Sequence, residues 1–356
     1  MGKQDFGGLS DQMVTLREAD VFPHSRDNTC GVLDAEGQFC AFSRGVMGPR
    51  RAAAEPTLSS ADEIRTLRGR YLYGGWLRAH FGHFLLESTA RLWALSALSA
   101  PVDGVIFTPF RNGGLRMSRK RYGGFLDILT NGADLTVVRA PTRVEELVVP
   151  DPGFGHHARI LGSPLYRTHS RERVAATVPA AGGEKLYVSR SALAVNRGGV
   201  FGEELIEDVM KANGYAIFHP QQHSIREQLA RYRAARQLVA LDGSALHMAA
   251  YALEPGARVG MILRRHSNLL DGLAQQIALF AQAEVTQIDA LQASWVDKDA
   301  KRVDFRSVGE LDFAPLFDQL AQSGFIASPK QVPCPDVAAE VRATRRGEMR
   351  RVAVVR

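Results

Sequence analysis

The sequence lacks the features that mark secreted or membrane-spanning proteins. Only three cysteines occur among 356 residues. Their number is odd, and the spacing of Cys30, Cys40 and Cys334 matches no metal-binding motif, which excludes a disulfide framework and favours a reducing compartment. No apolar run approaches the ~18 residues that a membrane span requires, and the first residues contain no apolar signal core. We therefore expect a soluble, cytoplasmic protein.

Several functional motifs are missing as well. No GxGxxG follows the first strand of either half, and GxxxxGK[ST] occurs nowhere, which argues against a dinucleotide-dependent dehydrogenase and a P-loop enzyme. Basic residues are dispersed, without interleaved aromatic residues or a recognition motif, so nucleic-acid binding is disfavoured. What remains is an ordinary globular composition, 45% hydrophobic and 23% charged. The net charge of +6 favours anionic partners such as nucleotides, polyanionic glycans or membrane surfaces.

The order of apolar segments predicts an α/β protein with more than one domain. Residues 1–60 read as an irregular N-terminal region, and helix and strand patterns alternate through an α/β domain over residues 61–180. The linker PAAGGEK then leads to a second domain, residues 181–330. There, short apolar strands alternate with amphipathic helices, which is typical of a doubly wound parallel sheet. Residues 331–356 form a basic tail, expected to be solvated.

Candidate ligand-binding residues follow the strands of the second domain. Ligands of parallel α/β sheets bind beyond the carboxyl ends of the strands. The residues expected there are Arg190 and Arg197, His219, the helix start Gly243, Ser244 and Ala245, and His247. Arginine forks and the backbone N–H groups of a helix start suit phosphate oxygens, so we predict a diphosphate site. The structural alternatives are that Ser244 is only an N-cap and that Arg197 is a solvated loop residue.

Two further groups of residues are candidate metal ligands. Asp297 and Asp299 could hold a divalent ion, but WVDKDAKRVDF is more typical of a hairpin with a charged turn. His156 and His157 are adjacent in a glycine-bounded loop, and adjacent residues rarely bind one metal together. We predict no metal site, and we place His156 and His157 at the lip of an interdomain cleft or in a surface loop.

The stretch FGHFLLESTARLW carries a titratable stripe within an apolar helix predicted over residues 79–98. His83, Glu87 and Arg91 recur at four-residue spacing, which places them on one helix face. The stripe is either catalytic or an internal hydrogen-bonded network that fixes the core of one domain. The residues alone leave both interpretations open.

Taken together, these motifs resemble glycosyltransferase family 61. The resemblance rests on KLYVSR with a following NR, HPQQHSIREQLARYRAA and LVALDGSALHMAAYAL, and on AHFGHFLLESTARLW nearer the N-terminus; it covers about residues 70–265. It implies a GT-B-like architecture, in which two Rossmann-like domains face a cleft. It also implies inverting, metal-independent transfer of a sugar from a nucleotide donor, usually a UDP sugar, to a glycan acceptor, as in bacterial capsule or other surface-polysaccharide synthesis.

The resemblance also implies roles for individual residues. Arg190 and Arg197 would bind the donor phosphates, Gly243, Ser244 and Ala245 would add backbone contacts, and His247 would face the nucleotide or sugar. His83 or Glu87 would take the proton of the acceptor hydroxyl. No cofactor and no nucleic-acid partner are expected, whereas peripheral membrane contact and homo-oligomerisation stay open. The alternative is a non-catalytic nucleotide- or glycan-binding protein on the same fold, to which the glycine-rich loop after Arg197 and Gln221 would point.

Overall fold

The computed structural model describes residues 10–45, 52–58, 63–110, 115–194, 197–266, 270–327, 332–343 and 349–354. The chain divides into two compact units, with the division between Thr177 and Val178. Both units combine helices with sheets that contain parallel strands, which confirms the predicted α/β class. Within the described ranges, no helix combines the length and the apolar character needed to cross a bilayer.

Unit 1, residues 1–177, contains a six-stranded mixed sheet. Its strands are β1 (Met13–Phe22), β2 (Gly31–Leu33), β3 (Arg65–Leu77), β4 (Gly104–Pro109), β5 (Leu135–Val137) and β6 (Thr142–Pro150). Their order in the sheet is β2-β1-β6-β3-β4-β5. Strands β6, β3, β4 and β5 are parallel, while β1 runs antiparallel to both β2 and β6. The carboxyl ends of β3 and β6 therefore lie side by side at one edge.

The N-terminal region contains two strands, so the irregular region predicted for residues 1–60 is wrong there. Strand β1 pairs along nearly all of its length with β6, more than 120 residues later, as at Val21 and Thr142. Ala19 and Val21 are completely buried and pack with Tyr73 and Leu147. This strand is stabilised by a distant partner, which local sequence patterns do not reveal.

The helical elements of unit 1 include a broken segment where one helix was predicted. The elements are α1 (Phe81–His83), a π-helical turn (Phe84–Ser88), 3-10 helices (Ala41–Ser43, Leu92–Ser96 and His157–Leu161), α2 (Leu115–Thr130) and α3 (Pro164–Thr177). The predicted continuous helix over residues 79–98 is therefore wrong. Thr89 Oγ1 donates to the Leu85 carbonyl, and Ser88 Oγ accepts the Arg78 N–H. Such side-chain hydrogen bonds compete with the regular helical ladder.

Unit 2, residues 178–356, is built on a five-stranded parallel sheet. Its strands are β7 (Lys185–Val188), β9 (Ala216–Phe218), β10 (Gln237–Leu241), β11 (Arg258–Ile262) and β12 (Glu284–Ile288). The order is β9-β7-β10-β11-β12, with every pair parallel. The chain first moves from β7 to one side and then returns to build the other side, so the topological switch point lies between β7 and β10.

Helices cover this sheet as a doubly wound topology requires. The helices are α4 (Glu203–Ala212), α5 (Ile225–Ala234), α6 (Ser244–Ala252), α7 (Leu270–Ala281) and α8 (Phe313–Gln322). Ile206 of α4 and Leu316 of α8 pack with Val239 and Ile262 in one buried cluster, while α5, α6 and α7 contact one another in a row. The Ser-x-x-Glu spacing of Ser224 and Glu227 predicts a capping box at the start of α5, and the structure confirms it, because Ser224 accepts from the Glu227 N–H and Glu227 accepts from the Ser224 N–H.

A second, four-stranded sheet includes part of the predicted tail. Strands β8 (Gly199–Val200), β13 (Leu291–Asp297), β14 (Val308–Leu311) and β15 (Met349–Ala353) have the order β15-β13-β14-β8. Strands β13 and β14 are antiparallel, as the hairpin interpretation predicts. The tail is structured in part: it contains α9 (Val337–Ala343) as well as β15, and Arg351 pairs with Glu310 at 2.7 Å. These residues are ordered, and apart from Met349, which is buried, their described side chains are exposed or partly exposed, as expected for a solvated tail.

Candidate functional site

A cluster centred on Glu87 lies at the edge of the unit 1 sheet where β3 and β6 end. Arg78 follows β3 directly, His83 and Glu87 lie in the broken helical segment after it, and His156 lies in the loop after β6. Glu87 Oε1 is 2.5 Å from His83 Nδ1 and 2.9 Å from His156 Nε2, and Glu87 Oε2 is 3.0 Å from Arg78 Nε. One carboxylate is thus contacted by three nitrogen-bearing side chains from three segments.

The surroundings keep this carboxylate ionised. Burial by itself raises the pKa of Glu87, but hydrogen bonds from His156 and His83, together with the charge of Arg78, outweigh burial and lower the pKa to about 2. Because an ionised carboxylate only accepts hydrogen bonds, His83 donates from Nδ1 and His156 from Nε2. In the neutral ring of His83, the lone pair is then on Nε2.

His83 and Glu87 differ in their access to solvent. The His83 side chain is 40% exposed, whereas that of Glu87 is 9% exposed and that of His156 is 26% exposed. The imidazole of His83 can therefore meet a substrate, and the carboxylate of Glu87 lies behind it. This arrangement of an accessible base and a buried orienting group is typical of general-base catalysis.

The helical stripe predicted from sequence is only partly right. Arg91, expected on the same face as His83 and Glu87, is buried and donates instead to the carbonyl oxygens of Pro150 and Phe42. The break after Ser88 turns Arg91 away, so it ties β6 to the N-terminal segment. π-Helical turns of this kind frequently occur at functional sites.

His156 has an acidic partner that the spacing of acidic residues around it does not indicate. Glu87, 69 residues earlier, supplies the partner through the adjacency of β3 and β6. The side chain of His157 is outside the described residues. Among the residues that the structure describes, the only group of three or more metal-type side chains is His83, Glu87 and His156. Asp297 and Asp299 belong to no such group.

A second polar cluster lies at the switch point of unit 2. Arg190 follows β7, and its Nη2 donates to the carbonyl oxygens of Arg197 at 2.6 Å and Gly198 at 3.3 Å. Its backbone N–H donates to Glu203 Oε1 at 2.8 Å. Burial lowers the pKa of Arg190, and its Nε is buried without a hydrogen-bond partner in the described structure. The guanidinium therefore has donor capacity that the protein leaves unused.

Gly243 allows this guanidinium to lie where it does. A Cβ at Gly243 would stand 2.7 Å from Nη1 of Arg190, which is closer than real Cβ contacts. Gly243 ends the turn after β10, and Ser244 and Ala245 begin α6, both partly exposed. Arg190 is thereby placed against the N-terminus of a nine-residue helix, where backbone N–H groups and the helix dipole favour an anion.

Two arginines after β11 complete this cluster, and the sequence interpretation missed them. Arg264 is almost completely buried, and its backbone N–H donates to Asp242 Oδ2 at 2.9 Å. Arg265 Nε lies 3.4 Å from Asp242 Oδ1. Burial lowers the pKa of Arg264 to about 9 although Asp242 opposes the shift. The available signal was the Arg-Arg pair directly after the strand RVGMIL, at the same sheet edge as Arg190.

The remaining predicted binding residues are less closely connected to these arginines. The side chain of Arg197 is exposed, and its carbonyl holds Arg190. His219 follows β9, and its Nδ1 is buried without a hydrogen-bond partner in the described structure. His247 Nδ1 lies 2.5 Å from Oε1 of the fully buried Gln276 on α7. His247 is thus held by the core of unit 2.

Comparison with known proteins identifies one family. The family model described as Glycosyltransferase 61 matches residues 81–260, which is half of the chain. No curated protein matches the sequence. The matched residues begin just before His83 and end after His247, so they include most of both polar clusters.

Proposed function

Because the chain belongs to glycosyltransferase family 61, we propose that it is an inverting GT-B glycosyltransferase. It moves a sugar from a nucleotide donor, with UDP as the expected nucleotide, to a glycan acceptor in cytoplasmic polysaccharide synthesis. The observation that carries the proposal is that the family match contains both an accessible imidazole backed by a carboxylate and an arginine cluster at a strand-end helix start. The chemistry needs no metal, because positive charge for the leaving group is available from the chain.

His83 acts as the general base in this proposal. The acceptor hydroxyl oxygen attacks the anomeric carbon from the side opposite the donor diphosphate, and the bond from that carbon to the diphosphate oxygen breaks. The hydroxyl proton passes to Nε2 of His83, and the configuration at the anomeric carbon inverts. Glu87 orients the ring through Nδ1 and stabilises the imidazolium that forms. Glu87 is the weaker candidate for the base, since it is buried and its pKa is about 2.

The arginine cluster of unit 2 would bind the donor diphosphate. Arg190 and Arg265 supply guanidinium groups at the start of α6, where Gly243, Ser244 and Ala245 offer backbone N–H groups. These groups oppose the negative charge that develops on the leaving diphosphate. The exposed side chain of Arg197 would also bind the phosphates. The Nδ1 of His219, which is buried without a hydrogen-bond partner in the described structure, suits a hydroxyl of the donor. The role of His247 is to shape the nucleotide pocket from its fixed position on α6.

The glycine-rich loop after Arg197 does not favour the non-catalytic alternative. A Cβ at Gly198 would stand 2.7 Å from Nη1 of Arg264 and 2.5 Å from the Phe305 carbonyl oxygen. Gly198 also has a φ of +67°, which side chains rarely adopt. The glycine is therefore explained by the packing of Arg264, and loss of the donor site is not needed to account for it.

The test is thermal melting of the full chain with a panel of nucleotides and nucleotide sugars, with and without EDTA. A ligand that binds only the folded state raises the melting temperature. We expect UDP or another nucleoside diphosphate to raise it equally in both conditions. No shift with any nucleotide, for protein shown to be folded, would refute the transferase. A shift without sugar transfer to any glycan in a matched acceptor panel would instead support the binding-protein alternative.

A further inference from the structure

The Glu87 cluster has the composition of a transition-metal site. We propose that His83, Glu87 and His156 bind one divalent ion of the zinc class, and that this ion inhibits sugar transfer. The inhibition, though not the binding, rests on the proposed function, in which His83 is the base. Sugar transfer itself requires no metal, and the ion acts only as an inhibitor that binds at the Glu87 cluster.

The donor atoms are of the right kind and number. His83 Nδ1, a Glu87 oxygen and His156 Nε2 all lie within 4.8 Å of one another. Two imidazoles and one carboxylate are the protein ligands of many zinc sites that keep a fourth position for water. Mg²⁺ and Ca²⁺ prefer oxygen ligands, so this set with two nitrogen donors selects against them.

The distances require only small movements when an ion enters. His83 Nδ1 and His156 Nε2 are 2.5 Å and 2.9 Å from the same oxygen of Glu87. Tetrahedral zinc with bonds near 2.0–2.1 Å separates its ligand atoms by about 3.3 Å. Each imidazole would therefore retreat from the carboxylate by less than about 1 Å, while the ion replaces the two hydrogen-bonded protons. The partly exposed side chains of His83 and His156 have room for such movement.

The surroundings of Glu87 orient it for this role. Arg78 Nε contacts Oε2 at 3.0 Å and leaves Oε1 directed at the two imidazoles. The Arg78 guanidinium lies 3.5 Å from the centroid of the Phe110 ring, which limits its movement. Partners of this kind fix the orientation of a ligating carboxylate. The positive charge of Arg78 also opposes a cation, so binding should be reversible and easily removed by a chelator.

An ion at this position would stop catalysis in two ways. With Nδ1 on the metal, His83 is no longer oriented by a hydrogen bond to Glu87, and the positive charge lowers the basicity of its ring. The acceptor hydroxyl then has no base to take its proton. Removal of the ion restores the imidazole–carboxylate pair.

The binding test uses chelator-treated full chain carrying Cys334→Ser, because Cys334 is exposed and could bind zinc by itself. Isothermal titration with ZnCl₂ should show one saturable site per chain, and MgCl₂ should show none. His156→Ala removes one of the three protein ligands, so it should weaken zinc binding by at least the roughly 10- to 100-fold that loss of an outer-shell partner costs. His266→Ala is the matched control, since His266 contacts Asp289 at 3.1 Å and, among the residues that the structure describes, belongs to no group of three metal-type side chains. It should leave the zinc affinity unchanged.

Either of two binding results would overturn the proposal. One is the absence of a saturable site. The other is equal zinc affinity in the Cys334→Ser chain and in folded chains that carry His156→Ala or Glu87→Gln in addition. Neither depends on donor or acceptor, so failure of the transferase proposal would be seen separately, as absence of sugar transfer in zinc-free buffer. In a transfer assay, zinc should inhibit and EDTA should restore the rate. A rate that rises with zinc would contradict the inhibitory role.

Discussion

Glu87 in unit 1 and Glu203 in unit 2 are both buried, yet folding shifts their pKa values in opposite directions. The pKa of Glu87 is lowered to about 2, whereas that of Glu203 is raised to about 7. Burial raises the pKa in both cases and is the largest effect in each. Glu87 has two imidazoles and Arg78 against it. Glu203 accepts a hydrogen bond from the Arg190 N–H but has Glu207 and Glu204 as neighbours.

Burial raises the pKa of both carboxylates, and the comparison shows that the neighbours decide whether that shift is reversed, as at Glu87, or retained, as at Glu203. Unit 1 surrounds a single negative charge with donors and thereby fixes the orientation of His83. Unit 2 collects arginines, and its carboxylates do not all remain charged at neutral pH, so positive potential is left for an anion. One cluster suits proton transfer, and the other suits binding of phosphates.

The largest expected effect is on the imidazole in front of Glu87. His83→Ala should lower kcat for sugar transfer by about 10²- to 10⁴-fold, because the acceptor proton loses its base. The substitution should have little effect on folding, since the side chain is 40% exposed. Steady-state kinetics and circular dichroism of the same preparation check this. A folded His83→Ala protein with full turnover would remove His83 from the chemistry.

The second largest effect is expected on the free energy of unfolding, to which Glu203 contributes in a pH-dependent way. Its pKa rises on folding from an ordinary 4.5 to about 7, so the stabilisation is fully present below pH 4.5 and is lost as the pH rises through about 7. The free energy of unfolding should therefore fall between pH 5 and pH 8 by up to about 3 kcal/mol relative to Glu203→Gln. Urea denaturation of both proteins across this range measures the difference.

Glu87→Gln is the matched comparison, and the contribution of Glu87 to the free energy of unfolding should depend on pH with the opposite sign. The pKa of Glu87 falls on folding, so its stabilisation is present above pH 4.5 and is lost as the pH falls toward about 2. Parallel pH profiles for the two glutamine variants would contradict the contrast between the clusters.

A smaller effect is expected where Gly243 contacts Arg190. Gly243→Ala introduces a Cβ 2.7 Å from Nη1, and the flexible end of Arg190 must move away. UDP affinity should fall about 10- to 100-fold, as for loss of a hydrogen bond to a charged group, with little change in melting temperature. Gly183→Ala, at a position with open space around it, is the control and should bind normally. Equal UDP affinity in both variants would argue against phosphate binding by Arg190.

The smallest effect concerns a helix cap that belongs to neither cluster. Ser224→Ala should lower the free energy of unfolding by about 1 kcal/mol, because the Glu227 N–H at the start of α5 loses its acceptor. UDP affinity should not change. Ser224→Asp should retain most of the stability, since aspartate also caps helices. Chemical denaturation with a parallel binding assay measures both, and a loss of affinity in Ser224→Ala would show that α5 contributes to the site.

Much of unit 2 was predictable because its elements are short and regular. The apolar run in KLYVS and the Ser-x-x-Glu spacing at Ser224 are local patterns that indicate a strand and a helix cap, and both elements are present in the structure. The family was predictable because several such motifs follow one another in a recognisable order. The placement of Arg190 beside Gly243 also follows from the rule that ligands bind at strand ends.

The residues of both clusters that were not predicted from the sequence depend on contacts between distant segments. His156 reaches Glu87 because β6 lies beside β3, and Arg264 reaches Asp242 because β11 lies beside β10. Neither adjacency is visible in a window of local sequence. The error at Arg91 has a different origin, since it follows from a π-helical turn and side-chain hydrogen bonds that interrupt a regular helical pattern.

The sequence by itself determined the α/β class, the family, the capping of α5 and the pairing of His83 with Glu87, because each depends on periodicity or spacing within a few residues. Only the tertiary structure decided the order of strands, the strands in the N-terminal region and the partners that shift the pKa values of Glu87 and Glu203 in opposite directions. The physical reason is that hydrogen-bonding partners and burial depend on which segments become neighbours in space. That adjacency is a property of the folded chain, and no local pattern specifies it.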